Sequence, residues 1–368
     1  MKVLITGSNG FVGKNLRIHL SERSAVEVVS FTRSDDVAQL PKFLDGVDFV
    51  FHLAGVNRPM ETKEFDVVNA GLTEQLSDAI RLSGRKIPVV YTSSIQAEAG
   101  NPYGSSKLKA EEALLALEKD TQSPVYLYRL PNVFGKWSKP NYNSAVATFC
   151  YNTVNNLPIQ INDPAAMIRL VYIDDVIDDF LRLLEARPDG VLRPDISPEF
   201  SITVGGLAEQ IRAFKASQDS MLIEPVGMGL TRALFSTYLS FLRPEQFSYT
   251  VPAHADARGR FVEMLKTKDS GQFSFFTAHP GITRGGHYHH TKNEKFLVIQ
   301  GSARFGFRHI ETDETYELFT DSVTPEVVQT VPGWSHDITN IGDNEMIVML
   351  WANEIFDRAH PDTITYKV

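Results

Sequence analysis

The chain contains a single cysteine, Cys150, among its 368 residues. One cysteine excludes a disulfide within the chain, and the usual role of such a residue is that of a small buried apolar side chain. The sequence therefore predicts a protein of a reducing compartment, which we take to be the cytoplasm.

Long apolar runs and an excess of positive charge are also missing. No segment approaches the roughly 20 apolar residues that a membrane-spanning helix needs, and the N-terminal run Met1–Ile5 reaches glycines too soon for a signal sequence. The 36 Lys and Arg against 45 Asp and Glu give a formal net charge of −9, which argues against a nucleic-acid surface. We expect a soluble globular protein that neither inserts into membranes nor binds nucleic acid.

The length of the chain predicts two domains, because it exceeds what one ordinary hydrophobic core supports. Strand patterns alternate with helical patterns as far as Phe241–Pro244. Beyond that point many short strand patterns follow one another, separated by turn residues. We predict an α/β domain over residues 1–243 and a small all-β barrel over residues 244–368.

A strand, a glycine-rich turn and a helix open the chain. The apolar run Lys2–Thr6 leads into Gly7-Ser8-Asn9-Gly10-Phe11-Val12-Gly13, and a helical pattern follows. Glycines let backbone N–H groups approach a pyrophosphate at a helix N-terminus, where the helix dipole favours an anion. Their placement between a strand and a helix predicts a dinucleotide site.

The second strand pattern, Val26–Phe31, ends at Thr32-Arg33. NAD-binding chains usually place an acid here for the ribose hydroxyls, whereas an arginine suits the 2′-phosphate of NADP. Arg33 therefore favours NADPH over NADH. The alternative is that Arg33 is a solvated loop residue without a role in binding. The neighbouring acids Asp35 and Asp36 leave this alternative open.

A tyrosine and a lysine four residues apart begin a helical pattern rich in Ala, Leu and Glu. Tyr103 and Lys107 share one helix face, and the lysine ammonium is expected to favour the phenolate. Such a pair can exchange a proton with a carbonyl or alcohol oxygen, and Ser94, at the end of the strand pattern Val89–Ser94, can hydrogen-bond the same oxygen. Tyr-x-x-x-Lys alone is common, and its alternative is an exposed helix pair.

Taken together, the glycine turn, the segments His52–Gly55 and Thr92–Ser94, and the Tyr103–Lys107 pair resemble the extended short-chain dehydrogenase/reductases. The resemblance covers residues 1 to about 240 and implies a Rossmann fold that transfers hydride at a sugar carbon. It implies that Ser94, Tyr103 and Lys107 are catalytic. It also implies cofactor contacts from Gly7, Asn9, Gly10, Phe11, Val12, Gly13, Arg33, Leu53, Ala54, Tyr103 and Lys107.

The same resemblance implies substrate contacts. Besides Ser94, it points to Asn132, in the segment Arg129–Gly135 that meets the nucleotide sugar, and to Arg169, at the position used for the substrate diphosphate. The alternative for Arg169 is a surface ion pair with Asp174 or Asp175.

Three histidines and a glutamate form a second candidate site. His287 and His289 are two residues apart, so on a strand they point to the same face, and Glu294 follows after a short polar turn. His336 lies far downstream. Three imidazoles and a carboxylate suit a borderline divalent ion such as zinc. The alternative is that the histidines are ordinary side chains of a strand and bind no metal.

The stretch Gly281–Gly301 resembles the first cupin motif, with every fixed place filled. The second cupin motif is present in part, because Gly333, His336 and Asn340 fit, whereas Pro325 and Val331 stand where its first glycine and its proline belong. The resemblance implies a cupin barrel in which the metal ligands are His287, His289, Glu294 and His336.

Asp256–Glu263 and Arg284–Tyr288 resemble segments of the dTDP-4-keto-6-deoxyglucose epimerases, which implies substrate contacts from Arg258 and Arg284. In those enzymes the residue at the place of His287 is the base, whereas in metal cupins it is a ligand. His289 replaces the usual glutamine of the epimerases, so we favour metal. The base is then unassigned; the candidates are His290, Lys295 and Tyr288, and the alternative for each is an outward-facing residue.

A reductase followed by a cupin resembles, over the whole chain, the bifunctional UDP-2-acetamido-2,6-dideoxy-β-L-arabino-hexul-4-ose reductases. The resemblance implies that the cupin epimerises C3 of a UDP-linked 4-keto-6-deoxy-N-acetylhexosamine and that the Rossmann domain reduces C4 with NADPH. The product would be UDP-2-acetamido-2,6-dideoxy-β-L-talose, a precursor of UDP-N-acetyl-L-fucosamine for capsule or O-antigen. We also expect a homodimer.

Two alternatives remain open. One is a nucleotide-sugar 4-epimerase or dehydratase with a sugar-binding cupin, against which the non-acidic Ile95 and Gln96 count. The other is a non-catalytic dinucleotide-sensing protein with a cupin dimerisation module, against which the intact Ser94, Tyr103 and Lys107 count.

Overall fold

The computed structural model describes residues 1–58, 61–251, 253–256, 259–262, 265–267, 271–354 and 359–368. The chain folds into two compact units. The first consists of Met1–Ser144 and Met167–Ile202, and the second of Ala145–Ala166 and Thr203–Val368. The domain boundary at residue 243/244 stays a prediction; by packing, the segment from Thr203 to residue 243 belongs to the second unit.

The first unit is built on a six-stranded parallel sheet with helices between its strands. The strands are β1 (Lys2–Thr6), β2 (Glu27–Phe31), β3 (Phe49–His52), β4 (Val89–Ser94), β5 (Val125–Leu130) and β8 (Val191–Leu192), in the order β2-β1-β3-β4-β5-β8. The helices are α1 (Phe11–Ser21), α2 (Leu40–Phe43), α3 (Leu72–Ser83), α4 (Pro102–Thr121) and α6 (Ile173–Ala186), with a π-helical segment, Phe65–Gly71, before α3. A smaller sheet has the order β6 (Asn132–Phe134), β7 (Met167–Tyr172), β9 (Phe200–Thr203).

Burial explains why these strands form a central parallel sheet. All four residues of β3 are buried, and β1 buries four of its five; strands covered on both faces read as apolar runs rather than as alternating patterns. Leu76 of α3 and Leu114 of α4 pack into the same core as Leu4, Val50 and Val89. The chain order reverses between β1 and β3, and such a reversal opens a crevice at the carboxyl ends of the strands. The predicted Rossmann-type α/β fold is confirmed.

The second unit begins with helices and continues with antiparallel strands. The helices are α5 (Ala145–Val154), α7 (Val204–Ser220) and α8 (Gly229–Leu239). The strands are β10 (Leu222–Ile223), β11 (Ser248–Thr250), β12 (Ala253–Asp256), β13 (Gly259–Val262), β14 (Lys266–Thr267), β15 (Gln272–Ala278), β16 (Thr283–Tyr288), β17 (Glu294–Gln300), β18 (Ser302–His309), β19 (Thr315–Asp321), β20 (Glu326–Gln329), β21 (Trp334–Asn340), β22 (Met346–Ala352) and β23 (Ile364–Thr365).

Two five-stranded sheets dominate this unit, with the orders β11-β20-β17-β22-β15 and β19-β18-β21-β16-β23. Aromatic rings join them: Phe296 of β17 lies 5.7 Å from Phe305 of β18 and 6.0 Å from His336 of β21, between ring centroids. The all-β region predicted for the C-terminal part is therefore confirmed. One-turn 3₁₀ helices lie at Val37–Gln39, Ile95–Glu98 and Pro244–Gln246.

Candidate active site and metal centre

The carboxyl ends of the parallel strands open into a cavity of about 580 Å³. Many of the residues predicted to bind cofactor or substrate line it: Asn9, Gly10, Phe11, Val12, Gly13, Leu53, Ser94, Tyr103, Lys107 and Asn132. Gly7, Arg33, Ala54 and Arg169 are not part of that lining. The structure therefore brings the predicted catalytic residues and the glycine turn to one cavity.

Steric contacts require glycine at two places in the turn after β1. Gly7 has φ +70°, and a Cβ there would lie 2.7 Å from the Cα and N of Ala54. A Cβ on Gly13 would lie 2.3 Å from the carbonyl oxygen of Gly7. Both distances are too short for any real side chain. Gly7 therefore allows the turn after β1 to pack against the loop after β3, and Gly13 allows the first turn of α1 to pack against the turn after β1.

Lys107 is buried beneath the predicted catalytic tyrosine. Its Nζ donates a hydrogen bond to the carbonyl oxygen of Thr92 at 2.8 Å and lies 6.0 Å from the centroid of the Tyr103 ring. Burial lowers the pKa of Lys107 to about 8, although nearby Glu111 acts in the opposite direction. The ammonium therefore remains charged at neutral pH.

Tyr103 and Ser94 line the same cavity. Burial raises the pKa of the Tyr103 phenol, and the interaction with Ser94 offsets only part of this effect. The expected shift of Tyr103 toward the phenolate is wrong for this site, because desolvation dominates and the pKa is raised. A neutral phenol is the form that can donate a proton to a ketone oxygen as hydride arrives.

Glu111, one helical turn beyond Lys107, binds Ser93, which lines the cavity. It is buried, accepts a hydrogen bond from Ser93 at 2.5 Å, and accepts one from Arg129 Nη2 at 2.7 Å. Burial acts to raise the pKa of Glu111, but the Arg129 and Ser93 hydrogen bonds lower it below the ordinary value. Sequence reasoning missed this residue, although its spacing places it on the helix face of Tyr103 and Lys107.

Asn69, in the π-helical segment, fixes the loop after β3. Its Oδ1 accepts the backbone N–H of Val56 at 2.8 Å, and its Nδ2 donates to the Val56 carbonyl oxygen at 3.0 Å and to Ser106 Oγ at 2.9 Å. Val56 lines the cavity. No sequence pattern marked Asn69, because its role depends on a loop and a helix distant in the chain.

His52 is a packing residue in the structure. It is fully buried, with Nδ1 2.7 Å from Thr6 Oγ1 and Nε2 2.8 Å from Thr73 Oγ1. Burial and the charge of Lys107 lower the pKa of His52 to about 3, so the imidazole stays neutral.

Arg33 lies exposed just after β2, whereas the neighbouring acids are engaged locally. Asp35 Oδ2 accepts the backbone N–H of Thr32 at 2.7 Å and its hydroxyl at 2.8 Å. Asp36 accepts the backbone N–H of Ala38 at 3.0 Å. These local bonds compete with any use of the two carboxylates for ribose hydroxyls.

Asn132 and Arg169 lie on neighbouring strands, β6 and β7. Asn132 Nδ2 donates to the Arg169 carbonyl oxygen at 3.0 Å. The Arg169 guanidinium is exposed and forms a two-point ion pair with Glu199, at 2.5 and 2.7 Å. This is an ion pair of the kind considered for Arg169, but its partner is neither Asp174 nor Asp175.

The four predicted metal ligands come together in the second unit. One ligand atom from each of His287, His289, Glu294 and His336 lies within 4.8 Å of the others. Glu294 Oε2 lies 3.2 Å from His289 Nε2 and 3.5 Å from His336 Nε2. Three nitrogen donors and one carboxylate in this space fit a divalent ion such as zinc.

A bulge in β16 makes this arrangement possible. Gly285 pairs with Asp337, yet His287, two residues later, pairs with His336. Gly285 and Gly286 have φ of +98° and +76°, which side chains rarely adopt. The bulge turns His287 toward the face of β21 that carries His336.

The electrostatics of the cluster favour the protonation states that bind a metal. Burial, followed by the other two histidines, lowers the pKa of His287 to about 3, and burial also lowers the pKa of His336. The neighbouring His289 and His336 hold the pKa of Glu294 well below its usual range despite burial. Neutral imidazoles and an ionised carboxylate are the forms that act as ligands.

Two of the three candidates for the epimerisation base, Tyr288 and Lys295, do not share the face of the predicted ligands. They alternate along β16 and β17 with His287 and Glu294, so their side chains point to the opposite faces. Lys295 Nζ donates to Tyr249 Oη at 2.8 Å, and the Tyr288 ring packs 5.5 Å from that of His290. Lys292, which sequence reasoning overlooked, contacts the cluster directly, with Nζ 3.1 Å from Glu294 Oε1.

The loop between β16 and β17 is buried beneath α8. Ser236 Oγ donates to the Thr291 carbonyl oxygen at 3.2 Å, and Asn293 Nδ2 donates to Ser236 Oγ at 3.3 Å. Arg232 of α8 also donates to the Thr291 hydroxyl. A helix therefore fixes the loop that joins the predicted ligands His289 and Glu294.

Of the two arginines predicted to contact substrate in this unit, one can be placed. Arg284 is exposed, donates to the Thr277 carbonyl oxygen at 3.2 Å, and lies 5.0 Å from the Phe276 ring centroid. It pairs across the strands with Ile338, two residues from His336, and so shares the ligands' face of the sheet. Arg258 lies outside the described residues.

Comparisons with known proteins agree with this two-part organisation. Residues 3–194 match the NAD dependent epimerase/dehydratase family, and residues 254–364 match the polysaccharide biosynthesis C-terminal domain. A curated relative from Pseudomonas aeruginosa, UDP-2-acetamido-2,6-beta-L-arabino-hexul-4-ose reductase, is 59% identical over 100% of this chain and 99% of its own length.

Solved structures give the same result. The capsular polysaccharide assembling protein CapF from Staphylococcus aureus is 40% identical, with a TM-score of 0.69 and full coverage of both chains. UDP-glucuronic acid 4-epimerase from Bacillus cereus, in complex with NAD, is 21% identical, with a TM-score of 0.54 over 59% of this chain and 84% of its own; it shows the fold alone. Among the described residues, no helix is both long and apolar enough to span a membrane.

Proposed function

The chain belongs to the family of UDP-2-acetamido-2,6-β-L-arabino-hexul-4-ose reductases, and we propose that it reduces C4 of a UDP-linked 4-keto-6-deoxy-N-acetylhexosamine with NADPH, after its cupin has epimerised C3. The product is UDP-2-acetamido-2,6-dideoxy-β-L-talose, the precursor of UDP-N-acetyl-L-fucosamine. The observation that carries the proposal is that Ser94, Tyr103 and the buried Lys107 line one cavity, which the glycine turn also lines.

In the reduction, the neutral Tyr103 donates its phenolic proton to the C4 oxygen as negative charge develops there. Ser94 hydrogen-bonds the same oxygen. The buried Lys107 ammonium stabilises the phenolate that remains, because an opposite charge nearby favours the ionised form. The nicotinamide cofactor, when bound, supplies the hydride.

We propose NADPH as the cofactor because of the charges beside β2. Arg33 is exposed and available for a 2′-phosphate, whereas Asp35 and Asp36 accept hydrogen bonds from their own turn. Gly7, Ala54 and the cavity-lining residues of the glycine turn form the rest of the proposed dinucleotide site.

The proposed epimerisation uses the ligand cluster of the second unit. His287, His289, Glu294 and His336 would hold a divalent ion, zinc in our proposal, which supplies a Lewis acid for the enolate formed when the C3 proton leaves. CapF has been solved with the inhibitor 3-isopropenyl-tropolone, and the adjacent oxygens of tropolones chelate metals, which supports a metal here. The base stays unassigned.

The remaining proposals concern the surroundings of these sites. Asn132 and Arg169 would contact the nucleotide sugar in the reductase site, and Arg258 and Arg284 in the cupin. We propose a homodimer, supported by exposed Phe273 and Phe275 on the sheet-edge strand β15. A role in capsule or O-antigen synthesis and a cytoplasmic location complete the proposal.

An assay of the full chain with both activities tests the proposed function. The protein is incubated with NADPH and the UDP-4-keto sugar derived from UDP-N-acetylglucosamine, and oxidation of NADPH is followed by absorbance. NMR of the product is expected to show inversion at C3 and a new hydroxyl at C4. Failure to oxidise NADPH would exclude the reductase, and a product that keeps the C3 configuration would exclude the epimerase step.

A further inference from the structure

The C-terminal residues 359–368 lie against the strands that carry the metal ligands. In this segment, which we call the C-terminal strap, Thr365 of β23 pairs with the ligand His287 of β16. The backbone N–H of Tyr366 donates to β16 at 2.9 Å, and Ser335 Oγ on β21 donates to the carbonyl oxygen of Tyr366 at 2.6 Å. The strap is therefore fixed to two of the ligand-bearing strands.

One strap residue, Asp362, binds the loop between β16 and β17. Its carboxylate accepts three consecutive backbone N–H groups, from His290 at 2.8 Å and from Thr291 and Lys292 at 2.7 Å each. It also accepts the Thr291 hydroxyl at 3.1 Å. Hydrogen bonds to an ionised carboxylate are roughly twice as strong as neutral ones, so Asp362 binds this loop firmly to the strap.

Asp362 also influences two of the four proposed ligands, His289 directly and Glu294 through Lys292. The carbonyl oxygen of Asp362 accepts a hydrogen bond from His289 Nδ1. Because a carbonyl oxygen only accepts, the hydrogen resides on Nδ1, and in the neutral ring the lone pair of Nε2 is directed to the cluster.

Asp362 also acts on a second ligand, Glu294, through Lys292, whose backbone N–H donates to the Asp362 carboxylate. Lys292 Nζ lies 3.1 Å from Oε1 of Glu294, whereas Oε2 of the same carboxylate faces His289 at 3.2 Å and His336 at 3.5 Å. Lys292 thus occupies one oxygen of the carboxylate and leaves the other toward the histidines.

From these contacts we infer that Asp362 is the positioning residue of the metal centre. It fixes the tautomer of His289 and, through Lys292, the orientation of Glu294. This inference rests on the proposed metal site and deepens it, because it assigns the completion of that site to the C-terminal strap.

The test compares full-length wild type with Asp362→Asn and, as a matched control, Asp343→Asn, an exposed aspartate in the same unit. Asparagine keeps the size of the side chain but loses the charge and points an N–H₂ group at a backbone N–H. The affinity for Zn²⁺ is measured by competition with a chromophoric chelator, and the visible spectrum of Co²⁺-loaded protein reports ligand geometry. Circular dichroism of chelator-treated protein reports folding.

We expect Asp362→Asn to weaken Zn²⁺ binding by about 10–100-fold, the usual cost of losing an outer-shell partner, and to change the Co²⁺ spectrum. Asp343→Asn should match wild type in both. Equal affinity and spectra for wild type and Asp362→Asn would overturn the inference while leaving the metal site intact. A wild type that binds neither Zn²⁺ nor Co²⁺ would overturn the proposed metal site itself, and with it the inference.

If Asp362→Asn does not fold, Ser335→Ala tests the same strap. It removes the 2.6 Å hydrogen bond to the Tyr366 carbonyl oxygen without changing the loop between β16 and β17. We expect a several-fold loss of Zn²⁺ affinity in a folded protein. Unchanged affinity in that variant would refute the role of the strap.

Discussion

Removal of one hydroxyl, by Tyr103→Phe, separates the two proposed reactions. The Tyr103 ring packs 5.7 Å from that of Phe65, and phenylalanine keeps this contact. The substitution removes at most one hydroxyl interaction, that with Ser94, so the loss of stability should be no more than about 1 kcal/mol, the scale of a single hydrogen bond. The variant is therefore expected to fold and to bind cofactor.

The rate of reduction should fall much further. A positioned general acid contributes roughly 10²–10⁴-fold, or about 3–5 kcal/mol of barrier at 1.36 kcal/mol per factor of ten. In the proposed epimerisation, by contrast, the C3 proton leaves and returns at the cupin, without use of the Tyr103 hydroxyl. We expect NADPH oxidation to drop by that factor, while mass spectrometry of the 4-keto sugar recovered from deuterium oxide still shows uptake at C3.

Tyr91→Phe is the matched control for this experiment. Tyr91 is fully buried, with its ring centroid 4.8 Å from Lys107 Nζ, and within the described residues its hydroxyl has no hydrogen-bond partner. Reduction by Tyr91→Phe should stay close to the wild-type rate. The two-site reasoning is refuted if Tyr103→Phe abolishes deuterium uptake together with reduction, since both steps would then depend on the same site.

Three further outcomes are expected. The pKa of Lys107 is lowered to about 8, so its positive charge is present below that pH and lost above it. The kcat/KM of reduction should therefore decline as the pH rises through about 8, and Lys107→Met should remove this pH dependence. Gly13→Ala places a Cβ 2.3 Å from the Gly7 carbonyl oxygen, so NADPH titrations by fluorescence should show no binding, and thermal unfolding should show a loss of roughly 1–3 kcal/mol, the range for overpacking. Arg33→Ala should weaken the binding of NADPH but not that of NADH. Equal catalytic efficiencies with the two cofactors in the wild type would contradict the assignment of NADPH as the preferred cofactor.

The sequence predicted what local patterns encode. The bounds of β1 and β4 match the predicted runs Lys2–Thr6 and Val89–Ser94, since buried parallel strands read as continuous apolar segments. The ligand set His287, His289, Glu294 and His336 followed from strand alternation and motif spacing, and its members are brought together in the structure.

What the sequence could not predict depends on contacts between distant segments. Asp362 lies some seventy positions after the loop that it binds, and no periodicity connects the two. The pKa of Tyr103 was predicted in the wrong direction, because the spacing to Lys107 is visible in a sequence and the extent of burial is not. The bulge at Gly285 likewise depends on which residues of β21 lie opposite.

Because α8 packs on the loop between β16 and β17, the part of the chain that could be separated as a catalytic module includes this helix. The helix precedes the predicted boundary at residue 243/244, yet its Ser236 exchanges hydrogen bonds with Thr291 and Asn293. A fragment that begins at residue 244 would leave these loop groups facing water. Any fusion of the cupin to another reductase, whether engineered or evolved, would therefore have to include α8. The segment that must be transferred is longer than the sequence motif that identifies the cupin.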